Sequence, residues 1–144
     1  MGERRDRKHR FDGLRRIPLL AGCTAAELAE VDGLGTQTDV RAATRLTTQG
    51  GPAEECFVVV GGSAVVRCGE LLVGSIDAGS VAGEMGLLHG HARNATVVAA
   101  TPMRLLVLDR RELASLIRAV PSIEVALEEL AAARQAELEL VGAA

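Results

Sequence analysis

The sequence predicts a mainly β domain, a sandwich or barrel, with helices on both flanks, and three observations carry that expectation. Between Thr36 and Leu108 the chain is a series of short β-branched runs separated by glycine-rich turns. On either side stand two patterns that start helices, Thr24 followed by Glu27 and Asp109 followed by Glu112. Beyond Pro121 apolar residues recur at steps of three and four.

A chain of 144 residues, 48% apolar and 24% charged, is one soluble domain with enough apolar material for a core, and disorder along its whole length is excluded. Phe11 and Phe57 are its two aromatic side chains, with no Trp or Tyr, so surfaces that stack single-stranded nucleic acid on exposed rings are excluded too. The net charge of −3 is unevenly spread. Residues 1–16 hold seven Lys or Arg against three acids, and the rest of the chain nine against sixteen. Residues 1–16 therefore read as a basic flexible arm, solvated and frayed, ahead of an acidic domain at 17–144 that suits DNA phosphates poorly.

Cys23, Cys56 and Cys68 form no CxxC pair, and their odd count points to reduced thiols and a cytoplasmic setting. Leu20-Ala21-Gly22-Cys23 has the letters of a lipoprotein cleavage site. The apolar stretch before it, Ile17 to Ala21, contains Pro18 and falls short of the roughly 7 to 15 residues an export signal needs. No run reaches the roughly 18 apolar residues of a membrane span.

Taken in order, Thr24 and Glu27 form a capping box ahead of Leu28 and Val31, a short helix closing near Gly33. A β-roll over about 36–108 follows, with strands expected at Thr38 to Val40, Arg45 to Thr48, Cys56 to Val60, Ser63 to Cys68, Leu71 to Ile76, Ala95 to Ala99 and Met103 to Leu108. Gly50-Gly51-Pro52, Gly61-Gly62 and Cys68-Gly69-Glu70 supply the turns. Asp109 and Glu112 open a helix through Arg118, and Pro121 starts a separate one, so the C-terminal helices cover about 110–141. On the last helix Ile123, Leu127, Leu130, Leu138 and Val141 share a stripe with Arg134.

One segment departs from the strand texture. Gly83-Glu84-Met85-Gly86-Leu87-Leu88 reads as a turn of helix between two strands, followed by a turn at Gly90 and by Arg93 just before the next strand. Backbone N–H groups at such a helix start favour an anion, Arg93 supplies a planar fork for a phosphate, and Glu84 suits a neighbouring hydroxyl. A phosphate beside a hydroxyl describes a nucleotide.

This segment resembles the phosphate-binding cassette of cyclic-nucleotide-binding domains, found in catabolite activator proteins, protein-kinase regulatory subunits and cyclic-nucleotide-gated channels. The resemblance spans roughly Ile17 to Leu140 and includes Pro18-Leu19-Leu20, the Gly50 turn, Val60-Gly61-Gly62-Ser63 and the Val73-Gly74 to Gly79 approach. It implies a double-stranded β-helix, or jelly roll, with an N-terminal helix, a short cassette helix and C-terminal helices. It further implies that Glu84 bonds a ribose 2′-hydroxyl and Arg93 the cyclic phosphate, helped by backbone groups around Gly83, Met85, Gly86, Asn94 and Ala95. The base would lie against Val66, Val73 and Val97. Leu87 would match the hinge that repacks, the last helix a lid, and Arg134 a lid arginine turned towards the ligand. The base-reading position one turn later carries Leu138. Gly86 and Ala92 stand where the family usually has Ala and Pro, and Asn94 leaves cAMP against cGMP open, with cAMP placed first.

Two alternatives accompany that reading: Glu84 and Arg93 as a purely structural ion pair, and Arg134 as a side chain whose head snorkels to water. His89-Gly90-His91 resembles the metal-ligand pair of cupins, but no carboxylate follows within 92–96 and no His after it, so no metal is expected. There is no nucleophile-base constellation, and no enzyme is expected. The long apolar stripe suggests a homodimer through the last helix, by Ile123, Leu127 and Leu130. No sequence-specific DNA binding is expected, since no helix-turn-helix pattern is read in the sequence. The expected function is a cyclic-nucleotide sensor acting on an unidentified protein effector. The alternative is a dimerisation module with a degenerate cassette.

Overall fold

A computed structural model describes Leu14 and residues 17–140. A 3₁₀ turn at Pro18–Leu20 leads into helix α1, Ala25–Leu34. Its start is the expected capping box: Glu27 N–H donates to Thr24 Oγ1 at 3.1 Å and Thr24 N–H to Glu27 Oε1 at 2.9 Å. The helix stops at Gly35, where a Cβ would lie 2.8 Å from Leu106 Cδ1.

Eight strands follow among the described residues: β1 Thr36–Val40, β2 Arg45–Thr47, β3 Glu55–Gly61, β4 Ser63–Cys68, β5 Leu71–Asp77, β6 Val81–Ala82, β7 Thr96–Ala99 and β8 Met103–Asp109. They form two antiparallel four-stranded sheets in the orders β1-β8-β3-β6 and β2-β7-β4-β5, a mainly β jelly roll with flanking helices. The chain passes from one sheet to the other at Gly61-Gly62. Gly62 has φ +88°, and a Cβ there would lie 2.9 Å from Met103 Cα, so glycine is required. Helix α2, Glu84–His89, lies between β6 and β7; α3, Arg110–Ala119, and α4, Ser122–Leu140, close the fold. The Asp109–Glu112 capping box is formed in both directions, at 2.7 and 2.9 Å.

The unbroken apolar run in β3 has a direct cause. Alternate residues of a strand point to opposite faces, and here both faces are covered. Cys56 and Val58 pack outward with Leu106 and Leu108 against Leu28, Val31, Leu113, Leu116, Ile123 and Leu127. Phe57 and Val59 point into the roll with Ala64, Ile76, Val97, Ala99 and Leu105.

That packing corrects the expected dimer surface. Ile123 and Leu127 are each 1% exposed inside the chain's own core, with Leu130 packed against it, because β3 and β8 need a helical cover. Complete burial of such a side chain contributes about 1.5–3 kcal/mol to folding, so these residues are committed within one chain. Leu14, counted with the basic arm, is also buried in this core at 2% exposure. The rest of the arm and Val141 lie outside the described residues.

Candidate functional site

Gly83 turns the chain from β6 into α2 with φ +82°, a left-handed conformation that glycine adopts without strain. A Cβ there would stand 2.6 Å from Arg93 Nη1 and 3.1 Å from Glu55 O. After about one and a half turns α2 ends at Gly90, φ +69°, whose N–H donates to Gly86 O at 2.8 Å. Gly86, where the family resemblance expected Ala, also has a steric reason. A Cβ at Gly86 would collide with the Ala53 methyl and lie 3.0 Å from His91 O.

Arg93 is held from both ends. Its backbone N–H donates to Gly51 O at 3.0 Å, and its carbonyl accepts from Gly50 N–H at 2.8 Å. Its guanidinium, 9% exposed for the residue as a whole, donates from Nη1 to Gly83 O at 2.8 Å and from Nη2 to Glu55 O. Among the described residues no carboxylate lies within 4.0 Å of it. Burial lowers its pKa, and nearby acidic groups, Cys56 first and then Glu55 and Glu84, act in the opposite sense. Arginine stays a cation at neutral pH regardless. Beneath it, burial and the Glu84 charge push the Cys56 thiol up to about 12, so it is neutral there.

Glu84, 1% exposed, is paired with Arg134 of α4 rather than with Arg93. Arg134 Nη1 donates to Oε1 and Oε2, each at 2.6 Å, while its Nη2 donates to Ser80 Oγ at 2.9 Å. This excludes the simple Glu84–Arg93 ion pair in this structure. It also replaces the snorkelling reading of Arg134, whose side chain is 21% exposed and turned inward.

The site residues named from sequence converge on one pocket. Its polar end is formed by Gly83, Glu84, Met85 and Gly86 with Arg93, Asn94 and Ala95, and Arg134 closes it from α4. Val66, Val73 and Val97 form the apolar wall. Asn94 Nδ2 points at Met85 Sδ, 3.9 Å away, and its carbonyl accepts from Cys68 Sγ at 3.4 Å.

Sequence reasoning missed Thr47, Gly74, Ser75, Ile76 and Glu137 as lining residues, and named Leu138 solely as a departure from the family pattern. Strand alternation in β2 and β5 and the three-residue step from Arg134 to Glu137 were the available signals. Thr47 is buried and satisfied: Oγ1 donates to Ala95 O at 3.0 Å and accepts from Val97 N–H at 3.2 Å.

Two arginine-mediated or imidazole-mediated ties link the cassette to the C-terminal helices. Arg110, first residue of α3, donates to Leu87 O at 3.3 Å and to Ala53 O at 3.2 Å. His89 Nε2 meets Glu128 Oε2 of α4 at 3.0 Å, both half-exposed. His91 donates from Nδ1 to Ala92 O at 2.8 Å. Among the described residues no three His, Cys, Asp or Glu side chains are grouped to hold a metal ion, and no helix is long and apolar enough to cross a membrane.

Comparison with known proteins agrees with this geometry. The family model described as the cyclic nucleotide-binding domain matches residues 37–119. The chain is 30% identical over 99 residues to the cGMP-dependent protein kinase egl-4 of Caenorhabditis elegans, covering 69% of this chain and 13% of the kinase. It is 28% identical over 134 residues to the putative potassium channel protein RPA4233 of Rhodopseudomonas palustris, covering 91% of this chain and 32% of that protein. The chain thus spans a third or less of the length of these curated relatives. Among solved structures, PKAR CBD2 bound to Sp-2Cl-cAMPS superposes with a TM-score of 0.84 at 22% identity, over 96% of this chain and 92% of that one. With the roll, the cassette and the matched residues in agreement, the chain belongs to the cyclic nucleotide-binding domain family.

Proposed function

We propose that this domain is a sensor for a purine 3′,5′-cyclic nucleotide, with the phosphate on Arg93, the ribose hydroxyl on Glu84 and the base between the Val66, Val73 and Val97 wall and Leu138. One observation carries the reading: Arg93 is a buried cation lining the pocket, with backbone carbonyls for partners and no carboxylate within 4.0 Å among the described residues. Glu84, the other buried charge, is already neutralised by Arg134. A buried charge is costly unless paired, and a ligand with one negative charge completes this site. A cyclic phosphate diester has that charge, whereas a linear monophosphate carries about −1.5 to −2.

The conformational output follows from the ties already described. Ligand contacts at Glu84 and Arg93 bear on Arg134, His89 and Arg110, hence on the packing of α3 and α4, and a protein effector reads that packing. The apolar wall accepts either purine, so the sequence expectation of cAMP ahead of cGMP gains no support from it. Three free cysteines fit a reducing compartment and thus the cytoplasm.

The homodimer belongs to the same proposal, with a different face of α4. Val125 and Leu140 are 61% and 86% exposed, and Ala132, Ala133 and Ala136 lie exposed between them at helical spacing. Small side chains there let two helices approach closely.

The test is calorimetric titration of nucleotide-stripped protein with cAMP and cGMP, with AMP and GMP as controls. Saturable one-to-one binding of a cyclic form, with the linear forms weaker, is the expected result. Heat-silent titrations of folded protein with both cyclic forms would overturn the sensor and favour the ligand-independent module.

A further inference from the structure

We propose that Met85 is an oxidation site that switches nucleotide binding: a peroxide that reaches its sulfur converts the thioether to a sulfoxide and lowers the affinity of the pocket. The effect on affinity rests on the sensor reading above. Met85 and Asn94 form a partition. Both line the nucleotide pocket, and both also line a second cavity between α2 and α4, whose other polar residues are His89, His91, Glu128 and Gln135. A small oxidant therefore has an approach to this sulfur apart from the nucleotide pocket itself.

Two observations single out Met85. It is half-buried, whereas Met103 is 3% exposed inside the roll and Met1 lies outside the described residues. In addition, Asn94 Nδ2 is aimed at Met85 Sδ from 3.9 Å. A thioether sulfur is a weak acceptor, so it holds that amide loosely. A sulfoxide oxygen is a far better acceptor, and the donor that would bond it is already in place.

The step balances with hydrogen peroxide as the co-reactant. A sulfur lone pair attacks one peroxide oxygen, the S–O bond forms as the O–O bond breaks, and the other oxygen takes up the proton and leaves as water. Sulfur gives up two electrons and the peroxide is reduced by them. The product ties the Asn94 amide to Met85 and turns a flexible apolar part of the wall into a polar one with a partly negative oxygen. Both changes oppose a phosphate anion at the end of the pocket that Arg93 and Asn94 line.

The experiment treats the full chain with graded hydrogen peroxide, then with dithiothreitol to reverse oxidation of the cysteines, and reads each methionine by peptide mass and affinity by titration with cAMP and cGMP. Met85 should gain one oxygen well before Met103, nucleotide affinity should fall about tenfold in step with it, and methionine sulfoxide reductase should restore it. Met85→Leu, a swap of similar volume, should keep its own starting affinity through the same treatment. In Asn94→Ala the loss on oxidation should shrink, because no amide is left to capture. Oxidation of Met103 in step with Met85, undiminished affinity in protein carrying the Met85 sulfoxide, or an equal loss in Met85→Leu would overturn the switch while leaving the sensor intact. Failure of the untreated, folded chain to bind either nucleotide would overturn both.

Discussion

Arg134 places a single Nη1 against both carboxylate oxygens of Glu84, at 2.6 Å each, across fifty residues of sequence. Glu84 is 1% exposed, and this contact is the ion pair it makes inside the fold. Replacing Arg134 by Ala should destabilise the domain by about 3 kcal/mol, because a buried carboxylate is left without its partner. Chemical denaturation should show this as a lower midpoint at unchanged slope. Adding Glu84→Gln to Arg134→Ala should restore much of the loss, since no buried charge then remains. A double variant no more stable than Arg134→Ala would mean that the pair is not the source of the effect.

Arg93 is a test of geometry as well as of charge. Lys keeps the cation but cannot span Gly83 O and Glu55 O with one planar group. Cyclic-nucleotide affinity should therefore fall about tenfold to a hundredfold in Arg93→Lys, and further in Arg93→Ala. Equal binding by native and Arg93→Ala protein in the same titration would remove the phosphate from this position.

Gly86→Ala sets helix propensity against packing. In an open helix the change stabilises by about 1 kcal/mol, yet here the new methyl meets Ala53 and lies 3.0 Å from His91 O. Overpacking of this kind costs about 1–3 kcal/mol, so Gly86→Ala should lower thermal stability. Ala53→Gly combined with it should recover the difference. A stabilising Gly86→Ala would show that the loop carrying Ala53 yields readily.

The thiols give an alkaline signature. Burial raises the pKa values of Cys23, Cys56 and Cys68, that of Cys56 from 9.0 to about 12 with the Glu84 charge adding to it. A group with a raised folded-state pKa contributes its stability below the unfolded value and loses it as pH rises through the folded value. Stability should therefore fall between pH 9 and about 12, by about 1.4 kcal/mol per pH unit for Cys56 where the unfolded thiol is ionised and the folded one is not. With no Tyr and a single Lys, Lys8, the chain has little else to titrate there. Denaturation midpoints across that range should flatten in Cys56→Ala; an unchanged profile would assign the slope elsewhere.

Sedimentation tests the outer face of α4. Ala136→Glu places a charge between exposed Val125 and Leu140 without touching Ile123 or Leu127. It should convert a dimer to a monomer without loss of fold. Dimers that persist would move the interface away from this helix face.

Local chemistry made most of the fold legible: both capping boxes, the helix break at Pro121 and the turns at Gly50, Gly62 and Gly69 stand where the sequence placed them. Strand β6 was not, because two residues, Val81 and Ala82, carry no periodicity and pair through β3. The pocket residues were legible through the cassette. Which arginine meets Glu84 was not, since that depends on how α4 lies across the roll. The same limit applies to the stripe of α4. Periodicity shows that Ile123 and Leu127 are buried against something, and here the something is the chain's own sheet.

Arg110 gives the cassette a mechanical attachment. By bonding Leu87 O and Ala53 O from the first residue of α3, it works as a strut between the far end of α2, the loop seated on Gly86 and the root of the C-terminal helices. A displacement of Leu87 O therefore either breaks the 3.3 Å bond to Arg110 or is passed to the first turn of α3. On the proposed sensor function, a stroke at the cassette would reach the long arm of α4 through this attachment.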